Sequence, residues 1–355
     1  PITFMFSPFP YPIRKTMKKH ILSLLLIAGG CLPLAAQYTI YPVPQQMTAV
    51  DGSASFSGEV CLVCDDQIDA ATRQRARQVL EEHGLKANDA DGAQACTSVI
   101  YLKVDPSVAV SGKYDAHHLR LEAQSNGMAS LTITGQHTDA TFMGLASLEQ
   151  MLDAVGTTAL PCVDISDYAD QQQRGLVEGY YGYPYSQNVK KDLMRFMMRM
   201  KMNTYLYGAK SDPYHSEYWG QPDPQTVTEE QEQNGWLSED MMRDVCETSA
   251  ATKVNFIWAI HPGNNFLYSN TVIDDIMGKF EKMHALGVRQ FGVFVDDVSV
   301  PSSDADLQLN AQRLALLQER IEQKWNTPGA APADTVRPLH FVPQIYCRGF
   351  ASSED

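Results

Sequence analysis

From residue 173 onward, strand-like and helix-like segments alternate regularly, and this alternation constrains the fold more than any other feature of the sequence. Short apolar runs rich in aromatic and β-branched residues are each followed by a longer segment whose apolar residues have helical spacing. No glycine-rich phosphate loop interrupts the series, so it predicts a (β/α)8 TIM barrel rather than a nucleotide-binding sheet. The predicted strands are 175–182, 203–208, 254–260, 290–298 and 339–346, and the predicted helices are 187–201, 239–252, 272–286 and 305–325.

A complete barrel of this kind takes about 250 residues and eight strands, whereas the sequence predicts only five strands before Asp355. We therefore expect a catalytic barrel over residues 173–355 that is truncated at its C-terminal end. Residues 38–168 predict a separate small α/β domain, in which His117-His118 is interpreted as a surface turn. This domain contains no cluster of catalytic residue types and is predicted to be a scaffold.

The N-terminal residues predict export from the cytoplasm. Residues 1–16 are interpreted as an extension upstream of the start at Met17. Residues 17–36 combine a short basic start, an apolar run and small residues, as in a secretory signal peptide, and are too short to span a membrane with ~20 apolar residues. Lipid attachment at Cys31 is the alternative. In either case we expect a secreted or periplasmic protein.

Charge and cysteine usage argue against several classes of function. The net charge of −14 argues against a nucleic-acid partner. The cysteines outside the signal segment are too sparse for a disulfide framework. Cys61 and Cys64 have the spacing of a metal or redox pair, but no second pair accompanies them, so buried thiols are expected. The absence of His-x-His and His-Glu-x-x-His spacings argues against a catalytic metal, and no cofactor is expected.

The fourth predicted strand ends in two adjacent carboxylates, Asp296 and Asp297. Such groups are costly to bury without a purpose, and catalytic residues of parallel barrels lie at the C-terminal ends of the strands. Adjacent carboxyl groups cannot easily both ionise, so one of them is suited to acid/base chemistry. The structural alternative is that both residues only cap the helix predicted from Ser303.

The other predicted strands end in residues suited to binding a sugar. Residues 178–185 supply glycines that let a ligand approach the backbone, and tyrosines with flat apolar faces and hydroxyl groups. Residues 208–215 and 261–263 follow the next two strands. Each group alone has a structural explanation, since Gly and Pro form turns and His261 alone is more often structural. Their joint placement at C-terminal strand ends favours a common site.

Three blocks of the sequence resemble the signature of glycoside hydrolase family 84, the β-N-acetylglucosaminidases of O-GlcNAcase-like and hyaluronidase-like type. The blocks are RGLVEGYYG at 174–182, YLYGAKSDPYH at 205–215 and FVDDV at 294–298. The resemblance covers about residues 38–355, and the N-terminal part resembles the family's accessory domain. It implies a retaining exo-β-N-acetylglucosaminidase acting on N-acetylglucosamine-bearing glycans or glycoproteins. The substrate's own acetamido oxygen then acts as nucleophile and an oxazoline intermediate forms.

The resemblance also implies roles for individual residues. Asp296 holds the acetamido N–H and stabilises the positive charge of the forming oxazolinium, while Asp297 is the general acid and base, whose pKa should be raised. Lys210 and the backbone of Gly179 bind sugar hydroxyls. Tyr346 stands where the family has a tyrosine at the acetamido pocket.

The sequence departs from the family pattern at two places. Residues 344–345 are Gln-Ile, where the family has Thr-Glu before the tyrosine. The later Asn and Asp residues of the family, which bind the remaining sugar hydroxyls, would follow Asp355. We therefore expect the chain as given to be inactive and the full-length protein to be active.

Two alternative functions are open from the sequence. One is a secreted carbohydrate-binding protein built on a truncated or degenerate barrel, which would bind a sugar without cleaving it. The other is a retaining glycosidase with its own nucleophile, for which Glu178 is the candidate. That carboxylate would have to lie ~5 Å from the acid.

Overall fold

The computed structural model describes residues 38–89, 96–300 and 303–347. The predicted extension and signal segment, including Cys31, lie outside the described residues. The described chain forms two sheets, one of seven strands and one of five. Each sheet has its own hydrophobic core. Within these residues, no helix combines the length and the apolar character that a membrane crossing requires.

The first sheet belongs to the N-terminal part of the chain and is covered by two helices. Its strands are β1 (Gln46–Ala54), β2 (Glu59–Cys64), β3 (Lys86–Asp89), β4 (Ser98–Val104), β5 (Tyr114–Ala123), β6 (Ala129–Gly135) and β7 (Leu160–Ala169), and its helices are α1 (Ala70–Glu82) and α2 (Thr138–Val155). The spatial order is β1-β7-β5-β6-β4-β2-β3, with parallel pairs at the β3 end and antiparallel pairs at the β1 end. Alternate residues of β4 and β6 are buried under α2, as period-2 strands require.

Two predictions about this sheet are wrong. His117-His118 is not a surface turn, because both residues lie within β5 and the His117 side chain is buried, with Nδ1 2.8 Å from the Asp115 carbonyl oxygen. Cys61 is not a free thiol but forms a disulfide with Cys96. Parallel pairing of β2 with β4 brings these two cysteines together although they are 35 residues apart in sequence.

The second sheet consists of five parallel strands whose spatial order follows the sequence. Its strands are β8 (Gly175–Glu178), β9 (Thr204–Tyr207), β10 (Asn255–Ile260), β11 (Gln290–Phe294) and β12 (His340–Val342). Its helices are α3 (Gln187–Arg199), α4 (Glu229–Gln233), α5 (Glu239–Thr252), α6 (Asn265–Tyr268), α7 (Val272–Ala285) and α8 (Asp304–Trp325). Sequential parallel strands joined by helices are the repeating unit of a (β/α)8 barrel. The fold prediction, a partial TIM barrel preceded by a small α/β domain, is confirmed.

Strand β11 is buried on both faces, as its apolar sequence predicts. On the helix side, the Phe291 ring stacks on Phe280 of α7, with ring centroids 4.1 Å apart. On the inner side, Phe294 packs with Leu206 and Ile257 of the two preceding strands. The strand therefore enters the C-terminal edge of the sheet in a fixed orientation.

Helix α3 buries a different face from the one that its apolar residues predict. Apolar residues at helical spacing would place Val189, Phe196 and Met197 on one inward stripe. However, 41% of Val189 and 55% of Phe196 is exposed, whereas Met197 is buried. Lys190 is fully buried instead, because its ammonium group pairs with the fully buried carboxylate of Glu178. The buried residues of the helix are Lys190, Met194, Met197 and Met198.

Charged pairs join the two parts of the chain. Lys201, just beyond α3, donates to Asp167 of β7 at 2.6 Å, and both side chains are almost fully buried. Lys253, just after α5, contacts both Asp69 and Asp139 at 2.5 Å. These contacts attach the small domain to the N-terminal edge of the parallel sheet, which leaves the opposite edge available for a site.

We predict that Phe280→Ala lowers the free energy of unfolding by about 3–5 kcal/mol, because it removes a fully buried ring and leaves a cavity beside Phe291. Phe196→Ala, which removes a half-exposed ring, should change it by no more than about 0.5 kcal/mol. Urea unfolding followed by circular dichroism measures both. Equal losses in the two variants would contradict the packing of α7 against β11.

Candidate active site

The predicted residues Asp296, Asp297 and Lys210 meet at the C-terminal edge of the parallel sheet. The two aspartates follow β11, and Lys210 follows β9. Its Nζ donates to Asp296 Oδ2 at 2.6 Å and to Asp297 Oδ2 at 2.5 Å. One ammonium group therefore holds both carboxylates, which lowers the cost of placing two negative charges side by side.

The approach of the β9 end to β11 depends on a glycine. A Cβ atom on Gly208 would lie 2.4 Å from Cε2 of Phe294, so any side chain there would push the two strand ends apart. Beyond it, the Ser216 hydroxyl donates to the carbonyl oxygens of Lys210 and Asp212 at 2.9 and 3.0 Å. The turn that carries Lys210 is thus fixed on both sides.

Asp297 has a left-handed backbone conformation, with φ of 62°. Non-glycine residues rarely adopt this region, although Asp is more tolerant of it than most. The conformation turns the carboxylate outward, where 44% of the side chain is exposed and the Tyr181 hydroxyl donates to Oδ2 at 3.2 Å. Helix α8 is capped by Ser303, whose side chain accepts from the Asp306 N–H. The alternative that the aspartates only cap this helix is therefore wrong.

Asp296 is more enclosed than its neighbour, with 17% of its side chain exposed. Its Oδ1 atom is buried and has no hydrogen-bond partner among the described residues. His261, which follows β10, places Nε2 2.9 Å from the Asp296 carbonyl oxygen and 3.9 Å from Oδ1. A buried carboxylate oxygen without a donor is unfavourable, so Oδ1 is suited to accept an N–H from a ligand.

The electrostatics of the site differ from the expectation for Asp297. Hydrogen bonding and charge attraction from Lys210 hold the pKa of Asp297 below its usual range, and exposure keeps the opposing effect of desolvation small. The prediction of a raised pKa is therefore wrong for the site as Lys210 and the two aspartates form it. Burial alone would lower the pKa of Lys210, but its bonds to both aspartates outweigh that effect and raise it. Lys210 binds the anionic form of Asp297. The contribution of this ion pair to the free energy of unfolding is therefore lost as the pH falls through the lowered pKa of Asp297.

Gly179 and Tyr346 lie at neighbouring strand ends. Gly179 follows β8, and a Cβ atom there would lie 3.8 Å from Cε2 of Phe294, which places its backbone beside the end of β11. Tyr346 follows β12 and is half exposed. The roles assigned to both by resemblance stay predictions. The sequence placed Tyr181 only among the tyrosines of residues 178–185 that are suited to binding a sugar, and did not predict its contact with Asp297.

The position of Glu178 argues against an enzyme-borne nucleophile. Its carboxylate is fully buried and accepts from the Tyr185 N–H and the Tyr205 hydroxyl, both at 2.6 Å. A nucleophile would need to reach an anomeric carbon in an open site. Within the described part of the chain, no three His, Cys, Asp or Glu residues are grouped so that they could hold a metal ion.

Comparison with known proteins decides the family. A model of the β-N-acetylglucosaminidase family matches residues 174–354, just over half of the chain and all of the site formed by Lys210, Asp296 and Asp297. The chain belongs to this family, glycoside hydrolase family 84. A model of domain 2 of glycosyl hydrolase family 20 matches residues 37–168, the part of the chain that forms the first sheet.

Two curated relatives of this family 84 member come from rodents. The chain is 28% identical over 172 residues to Protein O-GlcNAcase of Mus musculus, covering 46% of this chain and 18% of that protein. It is 29% identical over 136 residues to Protein O-GlcNAcase of Rattus norvegicus, covering 38% of this chain and 14% of that protein. The chain thus spans less than a fifth of the length of these relatives.

Two solved structures have the same architecture over most of the chain. CpGH84D superimposes with a TM-score of 0.71 and 27% identity, covering 88% of this chain and 51% of that one. CpGH84B superimposes with a TM-score of 0.66 and 24% identity, covering 87% and 51% respectively, and supports the fold alone. The chain corresponds to about half of each of these two structures.

We predict that Lys210→Met raises the pKa of Asp297, because the ammonium group that stabilises the carboxylate anion is removed. Carbon-13 NMR titration of the aspartate carboxyl groups measures the shift. Lys191→Met is the matched control, since Lys191 pairs with Asp244 on the helical layer and does not contact the site. A pKa of Asp297 that is unchanged in Lys210→Met would contradict the contact between these two side chains.

Proposed function

We propose that the full-length protein is a retaining exo-β-N-acetylglucosaminidase that acts on N-acetylglucosamine-bearing glycans or glycoproteins by substrate-assisted catalysis. The observation that carries this proposal is the contrast between two adjacent carboxylates. Asp296 is enclosed, with a buried Oδ1 that has no donor among the described residues, whereas Asp297 is exposed at an outward turn. Membership of family 84 supports the reaction class, and the relatives named Protein O-GlcNAcase support the sugar.

The two carboxylates divide the chemistry between them. In the first step the acetamido oxygen attacks the anomeric carbon, the glycosidic bond breaks, and Asp297 gives its proton to the leaving oxygen. Asp296 Oδ1 accepts the acetamido N–H and balances the positive charge of the oxazolinium ion. In the second step water attacks the anomeric carbon from the opposite face, Asp297 takes its proton, and the acetamido group is restored. Two inversions give net retention.

In this mechanism, Lys210 can control whether Asp297 is protonated and able to act as the acid. In the free protein it donates to Asp297 and favours the anion, which cannot protonate a leaving group. If a sugar hydroxyl takes the ammonium group away from Asp297, the carboxyl group loses its strongest stabilising contact and its pKa rises. The raised pKa expected for a general acid then belongs to the substrate complex.

We also propose that the protein is exported and acts outside the cytoplasm. The support is the sequence pattern of residues 17–36, with Cys31 as an alternative lipid attachment point. Its substrates are then extracellular or periplasmic glycans and glycoproteins. The alternative function, a carbohydrate-binding protein that does not cleave its ligand, predicts binding of N-acetylglucosaminides without turnover by the full-length protein.

We predict that Asp297→Asn in the full-length protein lowers turnover of glycosides with poor leaving groups by a factor on the order of 10² to 10⁴. Activated aryl glycosides should lose much less, since a good leaving group needs little protonation. Steady-state kinetics on a series of aryl N-acetylglucosaminides measures the difference. Asp240→Asn, an exposed aspartate on α5, is the control and should match the wild type. Equal losses of turnover for both kinds of leaving group would show that Asp297 is not the general acid.

We predict that Asp296→Asn lowers kcat for every leaving group by a factor on the order of 10² or more, because a neutral side chain cannot balance the oxazolinium charge. A thiazoline analogue of the intermediate should inhibit the wild type and bind this variant much less tightly. Inhibition constants and turnover are measured on both proteins. The substrate-assisted mechanism would be ruled out if the thiazoline bound wild type and Asp296→Asn equally tightly. It would also be ruled out if the wild type cleaved 2-hydroxy glycosides as fast as 2-acetamido glycosides.

A further inference from the structure

Beneath the site lies a buried ion pair that the proposed chemistry does not use. Glu178, the last residue of β8, and Lys190, in the first turn of α3, are both fully buried, with Nζ 3.3 Å from Oε1. Burial lowers the pKa of Lys190, and the attraction of Glu178 opposes that shift. A buried pair of this kind is a poor source of stability by itself, because desolvation of both ions offsets their attraction.

The two ions bind both backbone polar groups of Tyr185. Glu178 Oε1 accepts from the Tyr185 N–H at 2.6 Å, and Lys190 Nζ donates to the Tyr185 carbonyl oxygen. The second oxygen of Glu178 accepts from the Tyr205 hydroxyl, and the ammonium group lies 4.6 Å from the centre of the Tyr207 ring. Both ions are therefore held by β9 while they fix the position of Tyr185.

Tyr185 closes the loop of residues 179–185, which begins directly after Glu178. The side chain of Glu178 thus binds the far end of the loop that its own backbone starts. Along this loop, the Tyr180 carbonyl oxygen accepts from the Lys210 N–H at 3.3 Å, and the Gly182 N–H donates to the Ser211 hydroxyl at 2.9 Å. The loop carries Tyr181, whose hydroxyl donates to Asp297.

We propose that Glu178 and Lys190 are a pair of positioning residues, which clamp the loop of residues 179–185 so that Tyr181 holds the Asp297 carboxylate in place. This inference rests on the proposed function, because it gives Asp297 the role of acid. A clamp explains why a lysine is placed on the buried face of α3, where an apolar residue would pack at lower cost. Both ions are fully buried, so neither is placed to touch a substrate.

The test compares the clamp with a second buried pair of the same kind. Lys190→Met and Glu178→Leu each remove one side of the clamp, since neither new side chain can make the hydrogen bonds to Tyr185. The double variant removes both charges, so that no unpaired ion stays buried. Lys201→Met is the matched control, since it breaks the buried Lys201–Asp167 pair near the opposite edge of the sheet. Thermal unfolding and kinetics on good and poor leaving groups are measured for the full-length forms, well below their melting temperatures.

A positioning role predicts that the clamp variants lose about 10-fold or more in kcat on poor leaving groups and much less on activated ones, since misplacing an acid affects the step that needs it. Lys201→Met should lower the melting temperature yet keep kcat within about twofold of the wild type. The double variant should be more stable than Lys190→Met but equally impaired. Recovery of kcat together with stability in the double variant would overturn the proposal.

A second measurement separates this inference from the proposed function. If the wild type hydrolyses no N-acetylglucosaminide, the proposed function fails, but the clamp can still be tested by hydrogen–deuterium exchange. The hydrogen-bonded amides of Gly182 and Tyr185 should exchange at least about 10-fold faster in the double variant than in wild type or Lys201→Met, because the loop loses its attachment while the fold is kept. Unchanged exchange in this loop would overturn the clamp whatever the activity.

Discussion

The ammonium group of Lys210, placed between two adjacent carboxylates, is the interaction on which the candidate site depends. Without it, Asp296 and Asp297 would repel each other at the end of a strand that is buried on both faces. The contact requires β9 and β11 to bring their ends together, although β10 lies between them in the sheet. Gly208 permits that approach, and Phe294 packs against it. The site is thus a product of strand packing as much as of its charged residues.

In the described part of the chain, three buried lysines of the helical layer bind loops or strand ends. Lys190 binds the loop after β8, and Lys201 binds the last residues of the first sheet through Asp167. Lys279 of α7 binds Asp223 and the Gln221 carbonyl oxygen in the long segment between β9 and α5. In each case a helix or its end supplies the cation, and a loop or strand end supplies the acceptors. Ions of this kind fix geometry even where their contribution to stability is small.

Features that depend on local periodicity were predictable from the sequence, whereas features that depend on partners far along the chain were not. The strand–helix series and the Asp pair follow from residue spacing alone. The buried face of α3 was missed because Lys190 looks like a surface residue until Glu178 neutralises it. The Cys61–Cys96 disulfide requires the pairing of β2 with β4. The lowered pKa of Asp297 depends on a lysine that is 87 residues away in sequence.

The left-handed backbone at Asp297 has a consequence for any attempt to trap a substrate on this protein. A positive φ is tolerated by Asp, Asn and Gly, whereas alanine adopts it only with strain. An alanine at this position would therefore disturb the turn between β11 and α8 as well as removing the proposed acid, and the two effects would be confounded. Asparagine keeps both the conformation and the shape of the side chain. A crystallographic complex with an uncleaved sugar is thus best sought with Asp297→Asn. Its side chain is neutral, and asparagine tolerates the left-handed backbone that this turn requires.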